Sequence, residues 1–142
     1  MIIYIIIFII YEILIEVTEM KRRYLYIYGI VFLILSLFFG KVLNFYRIVP
    51  FWDKILHIIS GFILYPWGLY LYKKLKGNAD NTILKIVFGI LFSISCALLW
   101  EVWEFAGDSL FHLNSQNNSL SDTMLDMIMG CVGTLVSLFV HK

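Results

Sequence analysis

Apolar residues fall into five long runs along this chain, separated by short polar stretches. The first is roughly Met1 to Val17, followed by Lys21-Arg22-Arg23. The second runs from about Tyr24 to Gly40, and the third from Asp53 to near Tyr72, before Lys73-Lys74-Leu75-Lys76. The fourth covers about Thr82 to Phe105 and the fifth about Asp122 to Val140. Each approaches the roughly 20 residues a helix needs to cross the hydrocarbon core of a bilayer. A helix also satisfies its own backbone there, where no water can. The pattern predicts an all-α, polytopic membrane helix bundle with about five transmembrane helices in one domain, residues 1–142. Within it, 1–40 would supply two supporting, lipid-facing helices and 53–142 a three-helix unit. The first run is short and carries Glu12 and Glu16. It lacks a basic leader and a small-residue cleavage site, so it reads as a span rather than a signal peptide.

Polar and small positions inside the last three runs fall on stripes. In the third, Asp53 and His57 lead to Gly61 and Gly68. In the fourth, Glu101 leads back through Ala97 and Ser93 to Gly89, and in the fifth Asp122 and Asp126 lead to Gly130, Gly133 and Ser137. Steps of three, four or seven keep each set on one helix face. Small residues let membrane helices approach closely, so these three helices should pack on these stripes. Pro66 should bend the third.

Composition fixes the solvent. The 142 residues are 61% hydrophobic and 15% charged, more apolar surface than a soluble domain of this size can hide. Net charge is +1 and no basic stripe is present, which argues against a nucleic-acid partner. Cys96 and Cys131 lie inside apolar runs and read as small core residues. Basic residues cluster at Lys21 to Arg23, Lys73 to Lys85 and Lys142, all on one side if the spans number five. The other side has Lys41, Arg47 and Lys54, and no basic residue between Gly107 and Ser121. The richer side should be cytoplasmic, with the N-terminus outside and the C-terminus inside. Asp53, His57, Glu101, Glu104, Asp108, Asp122 and Asp126 then share one depth at the outer face.

Capping accounts for some of these residues. Asp53 and Asp122 each stand at a helix start, where free N–H groups favour an acid, and Ser121 is an alternative cap for the fifth helix. Capping does not explain His57 or Asp126, one turn deeper. Glu101, Glu104 and Asp108 share a face at a helix C-terminus, where the dipole opposes negative charge and the three repel one another. A bound cation, a proton, or Lys54 and His57 nearby must offset this, unless the face is simply solvated at the interface. Glu12, Glu16 and Glu19 instead pair with the basic residues after the first run, and His112 and His141 read as surface positions. Asn117-Asn118-Ser119 matches a glycosylation sequon that matters only in a eukaryotic secretory pathway.

Asp53-Lys54-x-x-His57, Glu101-x-x-Glu104-x-x-x-Asp108, Asp122-Thr123-x-x-Asp126 and Gly133 together resemble the YjdF-like bacterial membrane proteins, and more loosely the VanZ-like family. The resemblance covers about the last ninety residues. It implies a bacterial plasma-membrane protein acting at the envelope, and supplies no reaction. These families often have Asn four residues after the second Asp, where this chain has Gly130.

Three function classes stay open. In the first, His57, Glu101, Glu104 and Asp126 form the core of a metal-dependent hydrolase or transferase site. Asp53, Asp108 and Asp122 would ring it, with all seven able to contribute to a site for Mg²⁺, Mn²⁺ or Zn²⁺. The metal would activate water or polarise a group of a lipid-linked envelope precursor. In the second, the cluster binds a cation or proton in a transport or binding module. In the third, it pins three helices together in an accessory protein without catalysis. No nucleophile motif, phosphate loop or HExxH is present. The lipid bilayer is the one certain partner class, and the sequence identifies no protein partner.

The topology has a direct test. Single cysteines at positions 117 and 78, in a chain lacking Cys96 and Cys131, should differ: an impermeant thiol reagent on whole cells should label only position 117. Labelling of position 78 alone would turn the orientation over.

Overall fold

The structure, a computed structural model, describes residues 23–76, 81–113, 115–116 and 119–141. The first apolar run with its glutamates, Lys21 and Arg22, Asn78, the Asn117-Asn118 pair and Lys142 lie outside them. The described residues form helices. Helix α1 (Arg23–Leu33) continues into a wider π-helical stretch, Ile34–Val42. A single helical turn, α2 (Phe45–Ile48), leads to α3 (Trp52–Lys76), α4 (Thr82–Phe111) and α5 (Leu120–Val140). Four segments are long and apolar enough to cross a membrane: Leu25–Val42, Trp52–Lys76, Thr82–Phe111 and Leu120–Val140. The architecture is the polytopic all-helical bundle that the apolar pattern predicts.

The helices outrun their apolar cores for local reasons. Helix α3 takes in Lys73, Lys74 and Lys76, cations that suit the negative end of the dipole. Helix α4 starts under Asn81, whose Oδ1 accepts the Leu84 N–H at 2.9 Å. It runs on to Phe111 and stops where His112 turns left-handed, at φ 53°. Helix α5 begins two residues before Asp122, so its cap is Ser119 and not Ser121 or Asp122: Ser119 Oγ accepts the Asp122 N–H at 3.3 Å.

Helix α3 is the hub, packing against α5, α4 and α1. The stripes are the contact faces. The buried residues of α4 are Gly89, Ser93, Ala97 and Glu101. Those of α5 are Asp126, Gly130, Gly133, Thr134 and Ser137. At the α3–α5 crossing the backbones touch. A Cβ on Gly133 would run into the Ile58 carbonyl, and one on Gly61 into the Gly130 carbonyl. Helix α1 does more than face lipid. It exposes Ile27, Ile30 and Val31 but buries Leu25 completely, in a cluster with Ile63 and Trp67.

Hydroxyls knit the interior below the acidic end. Ser93 Oγ lies 3.2 Å from the Gly61 carbonyl and 2.7 Å from Thr134 Oγ1, so one buried node joins α3, α4 and α5. Pro66 sits inside α3 and has no N–H to give the carbonyl four residues back, that of Phe62. Ser137 Oγ of α5 donates to that carbonyl at 2.7 Å. A membrane interior offers no water for an orphaned carbonyl, so the serine of one helix repairs the proline of its neighbour.

Two substitutions test this packing through the unfolding of the detergent-solubilised chain. Gly133→Leu should cost about 1–3 kcal/mol by overpacking, whereas Val136→Leu, on the exposed face, should cost little. Ser137→Ala should cost about 1–3 kcal/mol by stranding the Phe62 carbonyl. Equal tolerance of Gly133→Leu and Val136→Leu would mean that the small stripe does not face a helix.

Candidate functional site

The N-terminus of α3, the last turns of α4 and the N-terminus of α5 come together at one end of the bundle. His57 is at the centre. Its side chain is buried, and its Nε2 lies 3.5 Å from Glu101 Oε1 and 3.9 Å from Asp126 Oδ1. Glu101 and Asp126 retain only 3% and 2% of their exposure, and those two carboxylate oxygens have no hydrogen-bond partner among the described residues. Asp53, one turn before His57, brings a carboxylate oxygen into the same space. Ligand atoms of Asp53, His57 and Asp126 all lie within 4.8 Å of one another.

Lys54 is the neighbouring cation. Its Nζ pairs closely with Asp122 Oδ1 and lies 3.3 Å from Asp126, tying α3 to α5. One ammonium therefore serves Asp122 and Asp126, while Asp53 and Glu101 bring two further carboxylates beside His57. The negative excess sits where charge is expensive to bury.

Glu104 and Asp108 take other positions. Glu104 accepts the Trp100 indole N–H at 3.0 Å and lines a cavity beside the cluster. Asp108 turns to the following loop, accepting the backbone N–H of Ser115 at 2.8 Å and of Gln116 at 3.0 Å. That fixes Gln116, whose Nε2 reaches back to the Glu101 carbonyl at 3.3 Å and to Glu101 Oε2 at 3.5 Å. Among the described residues, no hydrogen bond or ion pair joins Glu104 or Asp108 directly to the other five. Asp108 thus acts on Glu101 through a loop and a glutamine. Gln116 carries no spacing signal in the sequence, because it lies in a loop. Lys54 does carry one, three residues before His57.

The cavity is about 890 Å³, within the roughly 300–1,000 Å³ of ligand pockets. Residues of α1, α3 and α4 line it, and from α3 these include Asp53, Leu56, His57, Ser60, Ile63, Leu64 and Trp67. Those spacings are one helix face. Asp53, Lys54, His57 and Asp122 of the cluster therefore line one end of a mainly apolar chamber.

The fold and this buried polar end define a polytopic helical membrane protein with a candidate ion site. The chain belongs to the DUF2238 family of predicted membrane proteins, which it matches over residues 1–142. This is the YjdF family, and the comparisons do not support the looser likeness to VanZ-like proteins. A relative in Thermotoga maritima, described only as an uncharacterized protein, is 32% identical over 94 residues. That match covers 66% of this chain and 49% of the relative, so the chain spans about half the length of the curated protein it matches. No solved structure matches it.

The Lys54 bridge sets an expectation. With divalent metal chelated, Lys54→Met should destabilise the chain by about 3–5 kcal/mol, because it leaves Asp122 and Asp126 facing each other without a cation. Adding Asp122→Asn should restore part of the loss. A double variant no more stable than the single one would mean that the charge is not what matters.

Proposed function

We propose that this chain is a divalent-cation-dependent hydrolase or transferase of the bacterial plasma membrane. Its site would face outward, and its substrate would be lipid-linked. The observation that carries the reading is that ligand atoms of Asp53, His57 and Asp126 all lie within 4.8 Å of one another. His57 Nε2 and Asp126 Oδ1, 3.9 Å apart, are too far apart to hydrogen-bond each other. Atoms that close suit ligands on one ion, each about 2.0–2.2 Å away, and Glu101, 3.5 Å from His57 Nε2, would bring a further carboxylate beside it. A divalent ion there offsets the charge that Lys54 leaves uncompensated.

The chemistry follows from the donor set. Oxygen donors with a single imidazole suit Mg²⁺, Mn²⁺ or Zn²⁺. Such an ion can activate water or polarise a phosphoryl or acyl oxygen, and Glu104 faces the cavity where a proton acceptor is needed. Gln116 and Lys54, bound to ligand carboxylates, would orient them. A second reading has its own observation: Lys54 already bridges two acids of α5, as a pin between helices would.

Mn²⁺ titration followed by thermal unfolding separates the two. A metal that binds the folded chain raises its melting temperature with concentration. The shift should be large in wild type, and Asp126→Asn and Glu101→Gln should weaken apparent Mn²⁺ affinity by about tenfold or more. Asp108→Asn should weaken it less, since it acts through the loop. If wild type and both variants respond identically to Mg²⁺, Mn²⁺ and Zn²⁺, the cluster is a pin and the accessory role takes the place of the enzyme.

A further inference from the structure

We propose that the cavity along α3 holds a hydrocarbon chain of a phosphate-headed lipid, with the phosphate at the mouth between Arg47 and the acidic cluster. The proposal rests on the cation reading for its chemistry and names the class of amphiphile that the same site takes.

Shape is the first argument. From Asp53 to Trp67 the lining face of α3 rises by about 21 Å at 1.5 Å per residue. That is some two-thirds of the roughly 30 Å hydrocarbon core. The chamber is therefore long, runs along the bundle, and lies at acyl-chain depth. Its deep walls are Phe32 and Leu33 of α1, Ile63, Leu64 and Trp67 of α3, and Phe92 of α4. The π-helical stretch after Leu33 spaces α1 differently from a regular helix, and it contributes Ser36 and Lys41 to the lining.

Charge is the second argument. The lining carries both signs, from different elements. Asp53, Glu104 and Asp122 stand with Lys54 and His57 on the bundle side, and Lys41 and Arg47 on the α1–α2 side. No described carboxylate pairs with Arg47, which is exposed. A phosphate placed between them would meet a guanidinium on one side and the proposed divalent ion on the other. A neutral or zwitterionic head uses this arrangement less well. Phe51, 74% exposed with φ 63°, is at the same rim. An exposed aromatic there belongs at the headgroup boundary.

Native mass spectrometry of the full chain in mild detergent tests this, with phosphatidic acid and phosphatidylcholine of equal chain length offered in equal amounts, in EDTA and again with Mn²⁺. The chain should retain one phosphatidic acid in several-fold preference over phosphatidylcholine, and Mn²⁺ should widen the preference. The exposed charge swap R47E should remove the preference, and L64W, which fills the chamber, should remove retention of both lipids. Both variants should bind Mn²⁺ as wild type does, so a failure here is separable from a failure of the cation site. Inorganic phosphate should not displace the lipid; displacement would mean that the site takes free phosphate. Equal retention of the two lipids, or no change in R47E, overturns the proposal. So does a photocrosslinker at position 64 that reaches residues 1–17 of the same chain instead of lipid.

Discussion

A carboxylate taken out of water inside a membrane must be met by a positive charge, a proton or a set of donors, and the alternatives cost several kcal/mol. Glu101 and Asp126 are almost wholly buried at the end of the bundle, and His57 lies between them. The surrounding features are arranged around that demand. Lys54 reaches from α3 to Asp122 and Asp126, Gln116 reaches back from the loop to Glu101, and Asp108 holds that loop by its backbone. These contacts partly satisfy the acids and leave Glu101 Oε1 and Asp126 Oδ1 without a hydrogen-bond partner among the described residues. A purely structural cluster would more readily have given each of them one.

Such an arrangement needs the helices to come close, and small residues allow it. At Gly61 and Gly133 the α3–α5 crossing has no room for a Cβ, and at Gly130 a Cβ would press on Ala97 of α4. Apolar association contributes little between helices in lipid, so contact of backbone with backbone and shared hydroxyls must hold the crossing. The Ser93–Thr134 node and the Ser137 bond to the carbonyl freed by Pro66 supply them. The same tight crossing keeps Asp126 opposite His57, so packing deep in the membrane sets the geometry of the polar end.

Much of this was legible in the residues. Hydropathy located the spans, and spacings of three and four picked out the buried faces, down to the four buried residues of α4. Both signals are periodic, and a helix preserves periodicity. The sequence was less informative where direction matters. Glu104 and Asp108 share a face with Glu101, yet one is held by Trp100 and the other turns to backbone N–H groups of a loop. Gln116 became visible only with that loop. Ser119 displaced Ser121 as the cap because α5 begins earlier than its apolar run. The chamber depends on how α1 lies against α3, which no local pattern encodes.

The central claim is that His57 and its neighbouring carboxylates hold one divalent ion. Pulsed electron paramagnetic resonance of Mn²⁺ added to the purified chain reads the ligands directly. The account predicts one tightly held Mn²⁺ per chain with a nitrogen coupling from a single imidazole, lost in His57→Gln while the fold persists. A Mn²⁺ signal without any nitrogen coupling, or with one unchanged in His57→Gln, would contradict it.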